Sequence, residues 1–233
     1  MNFAELSAQR YSLRKFSDRP VEDALLQQVL EAGRNAPTAH NNQPQRIFVL
    51  QSPEAMAKAD ACMGCHFHPP VLLAVAYDPA AAWDRECDGK NHGEIDATIA
   101  VTQMMLQAAD LGLGTTYVGM FDPEKLTAAF PEMAGLVPIA MLPLGYPAEG
   151  AHPARLHTDR KPMEQLGNTC KKYPLPLHRK RIFFNSVPAP AAGRRRSRPR
   201  RSRCRRAPPP PRKPAAGCCR PRSPRTTHGG HRR

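Results

Sequence analysis

The segment that decides the fold runs from residue 97 to residue 120 and reads ATIAVTQMMLQAADLGLGTTYVGM. Its first part, Ala97–Leu111, is apolar on most faces of a helix, which predicts a long helix that is buried all round. Gly112 and Gly114 end this helix, and Thr115–Val118 then has the pattern of a strand. A buried helix that leads directly into a strand predicts a mixed helix and sheet domain around one core.

Helix and strand patterns alternate on both sides of this segment. Val71–Tyr77 is a continuous apolar run after two prolines, which is typical of a buried strand. Further strands are predicted over 46–51 and 137–144, and further helices over 2–9, from about 20 to 33, over 52–61 and over 122–130. The alternation favours an α/β or α+β fold.

The chain divides into two parts of opposite charge. Up to Glu164, the last acidic residue, 13 Lys and Arg stand against 20 Asp and Glu, a net charge of −7. The residues that follow carry 21 Lys and Arg and no acid, so the +14 of the whole chain comes from this tail. We predict a folded domain over 1–167 and a basic, Arg/Pro-rich, disordered tail over 168–233, because the tail has too few apolar residues to bury a core.

The tail has three open interpretations. Its abrupt loss of acids and its bias to Arg, Pro, Cys and Gly resemble translation of GC-rich DNA in a wrong frame. A functional basic tail would bind nucleic acid nonspecifically through phosphates, although no aromatic residue follows Phe184 to stack on bases. The third interpretation is that part of the tail folds.

The N-terminus and the cysteines bear on location. Residues 1–10 contain no apolar signal-peptide core, and no run of about 18 apolar residues predicts a membrane span. Seven cysteines, four of them among residues 168–233, read as reduced thiols rather than as a disulfide framework. We expect a soluble, cytoplasmic protein that does not associate with membranes.

Four separate segments carry polar residues suited to a phosphorylated, planar ligand. Arg10–Phe16 holds two arginines and a serine, which can clamp a phosphate, although a basic loop of this kind is more often only solvated. Ala36–Pro44 is rich in amides and small residues, and taken alone it is also an ordinary turn. Gly112–Asp122 allows close backbone approach to a ligand, although taken alone it is simply a helix end followed by a strand. The fourth segment is Leu144-Gly145-Tyr146-Pro147 with the later Arg160-Lys161-Pro162.

Taken together and in this order, the four segments resemble the nitroreductase family of FMN enzymes over about residues 3–166. The resemblance implies an α+β fold of three α/β/α layers around a central, mostly antiparallel sheet, and an obligate homodimer with two FMN molecules. It implies transfer of hydride from NADH or NADPH through the flavin to a nitroaromatic, a quinone or a similar small acceptor. No catalytic side chain is expected, because the cofactor carries the chemistry.

The resemblance also implies a cofactor site, residue by residue. The phosphate and ribityl end of FMN falls to Arg10, Ser12 and Arg14, with Arg160 and its neighbour Lys161 as late cations. The loop that lines the flavin of the other subunit supplies Pro37, Thr38, Ala39 and Asn41. The strand end Tyr117, Val118, Gly119 and Met120 follows, with the backbone of Gly119 and Met120 placed near flavin N5.

Two features fall outside this assignment. Cys62-Met63-Gly64-Cys65-His66, with His68, matches a haem-attachment pattern and part of a metal site. It reads more simply as a loop of reduced cysteines, and we expect no metal. Residues 87–94 are either a loop beside the substrate or a solvent loop that precedes the long helix. Only residues 52–95 are available for a lid, so the family's substrates do not carry over.

Two functions of other classes remain as alternatives. One is a nucleic-acid-binding protein that acts through its basic tail, and the other is a redox protein that holds a metal at Cys62 and Cys65.

Overall fold

A computed structural model describes residues 2–167, and the tail predicted for 168–233 lies outside them. Six α-helices and four strands make up this part. The helices are α1 (Phe3–Gln9), α2 (Asp23–Arg34), α3 (Pro53–Asp60), α4 (Gly93–Asp110), α5 (Pro123–Ala129) and α6 (Met163–Leu166), and the strands are β1 (Gln45–Leu50), β2 (Val71–Tyr77), β3 (Gly114–Thr115) and β4 (Val137–Gly145).

The four strands form one antiparallel sheet in the order β1-β2-β4-β3. Tyr77 pairs with Gln45 of β1 and with Val137 of β4, whereas Val71 at the other end of β2 pairs with Leu144. The sheet therefore has a Tyr77 end and a Val71 end. Seven residues of β2 separate them, a distance of roughly 20 Å at the usual rise of a strand.

Helices cover both faces of the sheet. Val71, Leu73 and Val75 share one buried cluster with side chains of α2 and α4. Leu72 and Ala74, which point to the opposite face, share a second cluster with side chains of α3 and α5. This arrangement confirms an α+β fold with an antiparallel sheet, and it explains why the run 71–77 is apolar at every position.

The long helix α4 begins earlier than the apolar pattern predicts. It starts at Gly93 rather than Ala97, and its first turn holds Glu94 and Asp96. Carboxylates in a first turn stabilise the helix dipole, and the Asn91 side chain accepts a hydrogen bond from the Gly93 N–H at 3.0 Å. The apolar pattern does not detect the first turn of α4, because that turn is polar. Among residues 2–167 no helix has the length and apolar content that a membrane span needs.

The strand predicted over 115–118 is shorter than expected. Strand β3 is only Gly114–Thr115, and Val118 pairs separately with Met141 of β4. In this register Thr116 would lie opposite Pro143, which has no N–H to donate, so the pairing is interrupted there.

Candidate functional site

The first basic segment lies at the Val71 end of the sheet and joins the third and fourth segments there. The Leu13 N–H donates to the Thr115 carbonyl at 2.9 Å, and the Ser17 N–H donates to the Tyr146 carbonyl at 2.9 Å. Phe16 also pairs with Pro147 as an isolated bridge. Three of the four segments predicted from the sequence thus meet at one end of the sheet.

A cavity of about 230 Å³ opens beside this junction. It brings together four cofactor-binding residues that the sequence predicts: Arg10, Ser12, Arg14 and Arg160. Tyr11, Ala154, Leu156 and His157 complete its lining. Lys161, the neighbour of Arg160, is exposed and does not line it.

The cavity is positively charged, and one of its buried hydrogen-bond donors has no partner among the described residues. The Arg10 Nη1 atom is buried and has no hydrogen-bond partner within residues 2–167. Burial lowers the pKa of Arg10, and the nearby Arg160 charge lowers it further. Among the described residues, Arg14 donates to the Ser12 carbonyl at 3.1 Å, and Arg160 donates to the carbonyls of Asp159 at 2.7 Å and Leu156 at 3.5 Å. Guanidinium groups held together in this way suit an anion with several acceptor oxygens, such as a phosphate.

The loop Pro37–Pro44 has an unusual backbone. His40, Asn41 and Gln43 have φ values of 54°, 57° and 51°, in the left-handed region that side chains rarely adopt. The Thr38 hydroxyl accepts a hydrogen bond from the Gln43 N–H at 3.1 Å. Three such residues in one loop need support from the surrounding structure, and strain of this kind concentrates at functional sites.

The buried Asp96 supplies part of that support. Its Oδ1 accepts a hydrogen bond from the Ala39 N–H at 3.0 Å, and the residue is only 2% exposed. Because Asp96 lies in the first turn of α4, the loop is fixed at the Tyr77 end of the sheet. The Asp78 N–H, just beyond β2, donates to the Pro44 carbonyl at 2.9 Å and holds the other side of the loop at the same end.

One chain does not bring the Pro37–Pro44 loop to the arginine cavity. The loop rests on the N-terminal end of the 18-residue helix α4, whereas Leu113 and Gly114 follow its C-terminal end. From Asp96, which holds the loop, to the end of the helix at Asp110 the rise is roughly 20 Å, in agreement with the length of β2. Pro37, Thr38, Ala39 and Asn41 therefore lie apart from Arg10, Ser12, Arg14 and Arg160 within a single copy.

The segment Tyr117–Met120 runs between these two ends along β4. Val118 is buried, and its N–H and carbonyl both bond to Met141 at 2.9 Å. Its neighbours face outward: Tyr117 is 40% exposed and Met120 is 66% exposed. Space beside the Gly119 Cα is open, so a planar ligand can approach this backbone closely.

The Cys62–His68 loop packs against the Tyr117–Met120 segment. The Gly64 N–H donates to the Met120 carbonyl at 3.0 Å. Cys62 is buried, which raises the pKa of its thiol, and its Sγ donates to the Lys58 carbonyl at 3.2 Å. His66 pairs with Asp60 at 2.6 Å. Within residues 2–167, no three Cys, His, Asp or Glu side chains converge as metal ligands.

Several residues of the site escape prediction from the sequence. Asp96 carries one signal, an acid in the first turn of an otherwise apolar helix, but its partner Ala39 lies far away in sequence. Tyr11 and His157 line the arginine cavity and contact each other edge to face, with ring centroids 6.3 Å apart. No local pattern marks either of them as a ligand-facing side chain.

Comparisons with known proteins point to one family. The nitroreductase family model matches residues 8–68 and 59–146. A nitroreductase family protein from Clostridium difficile is 36% identical and superposes with a TM-score of 0.69, over 73% of this chain and 99% of that one. A nitroreductase-type protein from Desulfovibrio desulfuricans, solved in complex with FMN, is 26% identical with a TM-score of 0.60, over 75% and 99%. An FMN reductase [NAD(P)H] from Bacillus subtilis is 28% identical over 59% of this chain and 63% of its own.

Proposed function

The chain belongs to the nitroreductase family and is an FMN-dependent NAD(P)H oxidoreductase, and we propose that two copies of it build each site and reduce a nitroaromatic, a quinone or a similar small acceptor. Bound FMN would supply the redox chemistry, taking hydride from NAD(P)H and passing electrons to the acceptor. The protein's task is to hold this cofactor, to keep one face of its ring open and to position the acceptor.

One observation carries this function: the arginine cavity with its buried, unpartnered Arg10 Nη1. A phosphate there would accept hydrogen bonds from Arg10, Ser12, Arg14 and Arg160 and would neutralise the repulsion between the cations. These four residues hold the phosphate and ribityl end in the proposal. Lys161, which is exposed and does not line the cavity, would add positive charge as the neighbour of Arg160.

The two-copy site follows from the separation of the segments. FMN held by its phosphate at the Val71 end of one copy would meet Tyr117, Val118, Gly119 and Met120 of the same chain, with the Gly119 and Met120 backbone beside N5. The loop with Pro37, Thr38, Ala39 and Asn41 is too distant within that copy, so a second copy would supply it.

Exposed apolar side chains support the pairing of copies. Ile95 on α4 is 40% exposed, and Tyr117 and Met120 are also exposed. Covering these side chains with a second copy would remove apolar surface from water, which favours association. We propose that residues 1–167 form a homodimer through this surface and that the protein is soluble and cytoplasmic; the tail 168–233 lies outside the described structure.

The proposal is tested with the purified full-length chain. We expect a flavin absorption spectrum, either as purified or after FMN is added, that bleaches when NADH or NADPH is added anaerobically. Oxidised colour should return when a quinone is added. A chain that takes up no FMN would contradict the cavity assignment, and FMN that neither nucleotide reduces would contradict the assigned reaction.

A further inference from the structure

A column of three aromatic side chains stands beside the Pro37–Pro44 loop. The His40 ring stacks on Trp83, with centroids 5.2 Å apart and planes 24° apart. The His92 ring meets the same indole edge to face, with centroids 4.7 Å apart and planes 61° apart. Trp83 belongs to the short segment between β2 and α4, so the column joins this segment to the loop.

Backbone and side-chain hydrogen bonds hold in place the segment that carries Trp83 and His92. The His92 N–H donates to the Trp83 carbonyl at 2.9 Å. Asn91 donates to the Asp84 side chain at 2.8 Å and to the Pro79 carbonyl at 3.1 Å, which closes the segment on itself. Trp83 is therefore half-buried and held in place, and its indole forms a platform for the His40 ring.

The His40 side chain is exposed although its position is tightly determined. Its backbone is left-handed, the preceding Ala39 N–H is held by Asp96, and its ring is held by Trp83. Within the described residues its ring nitrogens have no hydrogen-bond partner, so they are available to a ligand. An exposed imidazole whose ring stacks on Trp83 and whose backbone is held through Asp96 is pre-organised for such a contact.

We propose that His40 donates a proton to the electron acceptor, and that Trp83 and Asp96 are positioning residues for it. This inference rests on the proposed function, in which the loop that contains His40 lies against the flavin of the other copy. It deepens that function by naming the acceptor class: planar molecules that take up a hydride together with a proton on oxygen, as quinones do.

The proposed step balances for a quinone. The quinone receives two electrons and one hydrogen as a hydride from the reduced cofactor, and one proton from the His40 imidazolium. Both C=O groups become C–OH, one through the hydrogen that arrives as hydride and the other through the proton from His40; the cofactor is oxidised and the product is the hydroquinone. His40 is left neutral and regains its proton from solvent. Histidine suits this role because an imidazole side chain can both hold and release a proton as a general acid.

The test compares two acceptors in the FMN-loaded full-length protein after anaerobic reduction. Menadione needs protons for its reduction, whereas ferricyanide accepts single electrons without a proton. His40→Asn retains a residue suited to the left-handed backbone, and His40→Phe retains a stacked ring. We expect both variants to slow reoxidation by menadione about 100-fold, the lower end of general-acid effects, and to leave reoxidation by ferricyanide within about twofold of the wild type.

A matched control and a second readout make the outcome specific. His66→Asn removes another exposed histidine and should leave both rates unchanged. Trp83 is the only tryptophan of the chain, so its emission reports on the column directly. Titrating oxidised menadione without a reductant should quench this emission to saturation, with similar affinity in the wild type and in His40→Asn.

Contrary results fall into two groups, one that concerns His40 alone and one that concerns the proposed function. Equal losses with menadione and ferricyanide, unchanged menadione rates in both His40 variants, or emission that is not quenched to saturation would overturn the assignment of His40. Wild-type protein whose FMN is not bleached by NADH or NADPH would overturn the proposed function, and the assignment with it.

Discussion

The Asp96 carboxylate, which is 2% exposed, accepts a hydrogen bond from the Ala39 backbone N–H at 3.0 Å. This one contact joins the first turn of the central helix to the loop with three left-handed residues. It fixes the loop to this helix, at the end of the sheet opposite the arginine cavity. The contact therefore bears on both stability and the proposed cofactor site.

Replacing Asp96 should loosen the loop. Asp96→Ala leaves the Ala39 N–H without its acceptor, and we expect a loss of about 1–3 kcal/mol in the free energy of unfolding together with weaker FMN binding. Asp96→Asn keeps a carbonyl acceptor and should retain most of both. Urea unfolding followed by circular dichroism and a fluorescence titration with FMN measure the two effects. Equal behaviour of the two variants would show that the hydrogen bond does not support the loop.

Removing a cation from the arginine cavity should weaken FMN binding. A charge-assisted hydrogen bond contributes about 1.5–3 kcal/mol, so we expect Arg160→Ala to raise the Kd for FMN roughly 10- to 100-fold. Arg155→Ala is the matched control, because Arg155 is exposed nearby and does not line the cavity. The quenching of FMN fluorescence gives both constants, and equal effects of the two substitutions would contradict the assigned phosphate site.

Gly93 is a position where no side chain fits. A Cβ added there would lie 2.0 Å from Cδ2 of the Tyr77 ring, at the junction of α4 with the sheet. We expect Gly93→Ala to lower the free energy of unfolding by about 1–3 kcal/mol through overpacking. Gly119→Ala, which has open space beside its Cα, should leave stability almost unchanged. Thermal unfolding of both variants tests the difference.

Glu22 makes the free energy of unfolding depend on pH in the acidic range. The Tyr146 hydroxyl donates to Glu22 at 2.6 Å and Arg19 donates to it at 2.6 Å. The Tyr146 hydrogen bond first, and then Arg19, lowers the pKa of Glu22 to about 2. A carboxyl with a depressed pKa in the folded state stabilises the fold above its unfolded pKa, near 4.3, and this contribution is lost as the pH falls from there through about 2.

Tyr146→Phe removes the largest cause of that depressed pKa. We expect the midpoint of urea unfolding to fall less steeply between pH 4.5 and pH 2 in Tyr146→Phe than in the wild type. Tyr117→Phe, which alters a distant exposed tyrosine, should follow the wild type. Parallel pH profiles for Tyr146→Phe and the wild type would show that Tyr146 does not set the pKa of Glu22.

Local patterns were sufficient to predict much of the fold. The run 71–77 is apolar at every position because both faces of β2 are covered, and its predicted bounds are confirmed. Asp122 and Ser52 cap α5 and α3 through hydrogen bonds to backbone N–H groups, as residues of their type do at helix starts. The family resemblance read from the four segments is also confirmed.

The remaining features depend on contacts that no local pattern encodes. The break after Thr115 arises from Pro143 on another strand, and the early start of α4 involves polar residues that an apolar pattern ignores. The meeting of Arg10 with Arg160 requires the whole chain to be folded. The residues assigned to FMN stay predictions, because only a second copy would bring the loop at Ala39 to the cavity at Arg10.

The most direct test of the central claim, a flavin site built from two copies, is the FMN content of a heterodimer. One chain carries Arg160→Ala and the other carries Asn41→Glu, and different affinity tags allow the mixed pair to be isolated after co-expression. A site shared between copies leaves one intact site in this pair, so we predict about half of the wild-type FMN content, with little FMN in either variant alone. A mixed pair that holds no more FMN than the two variants alone would contradict the account.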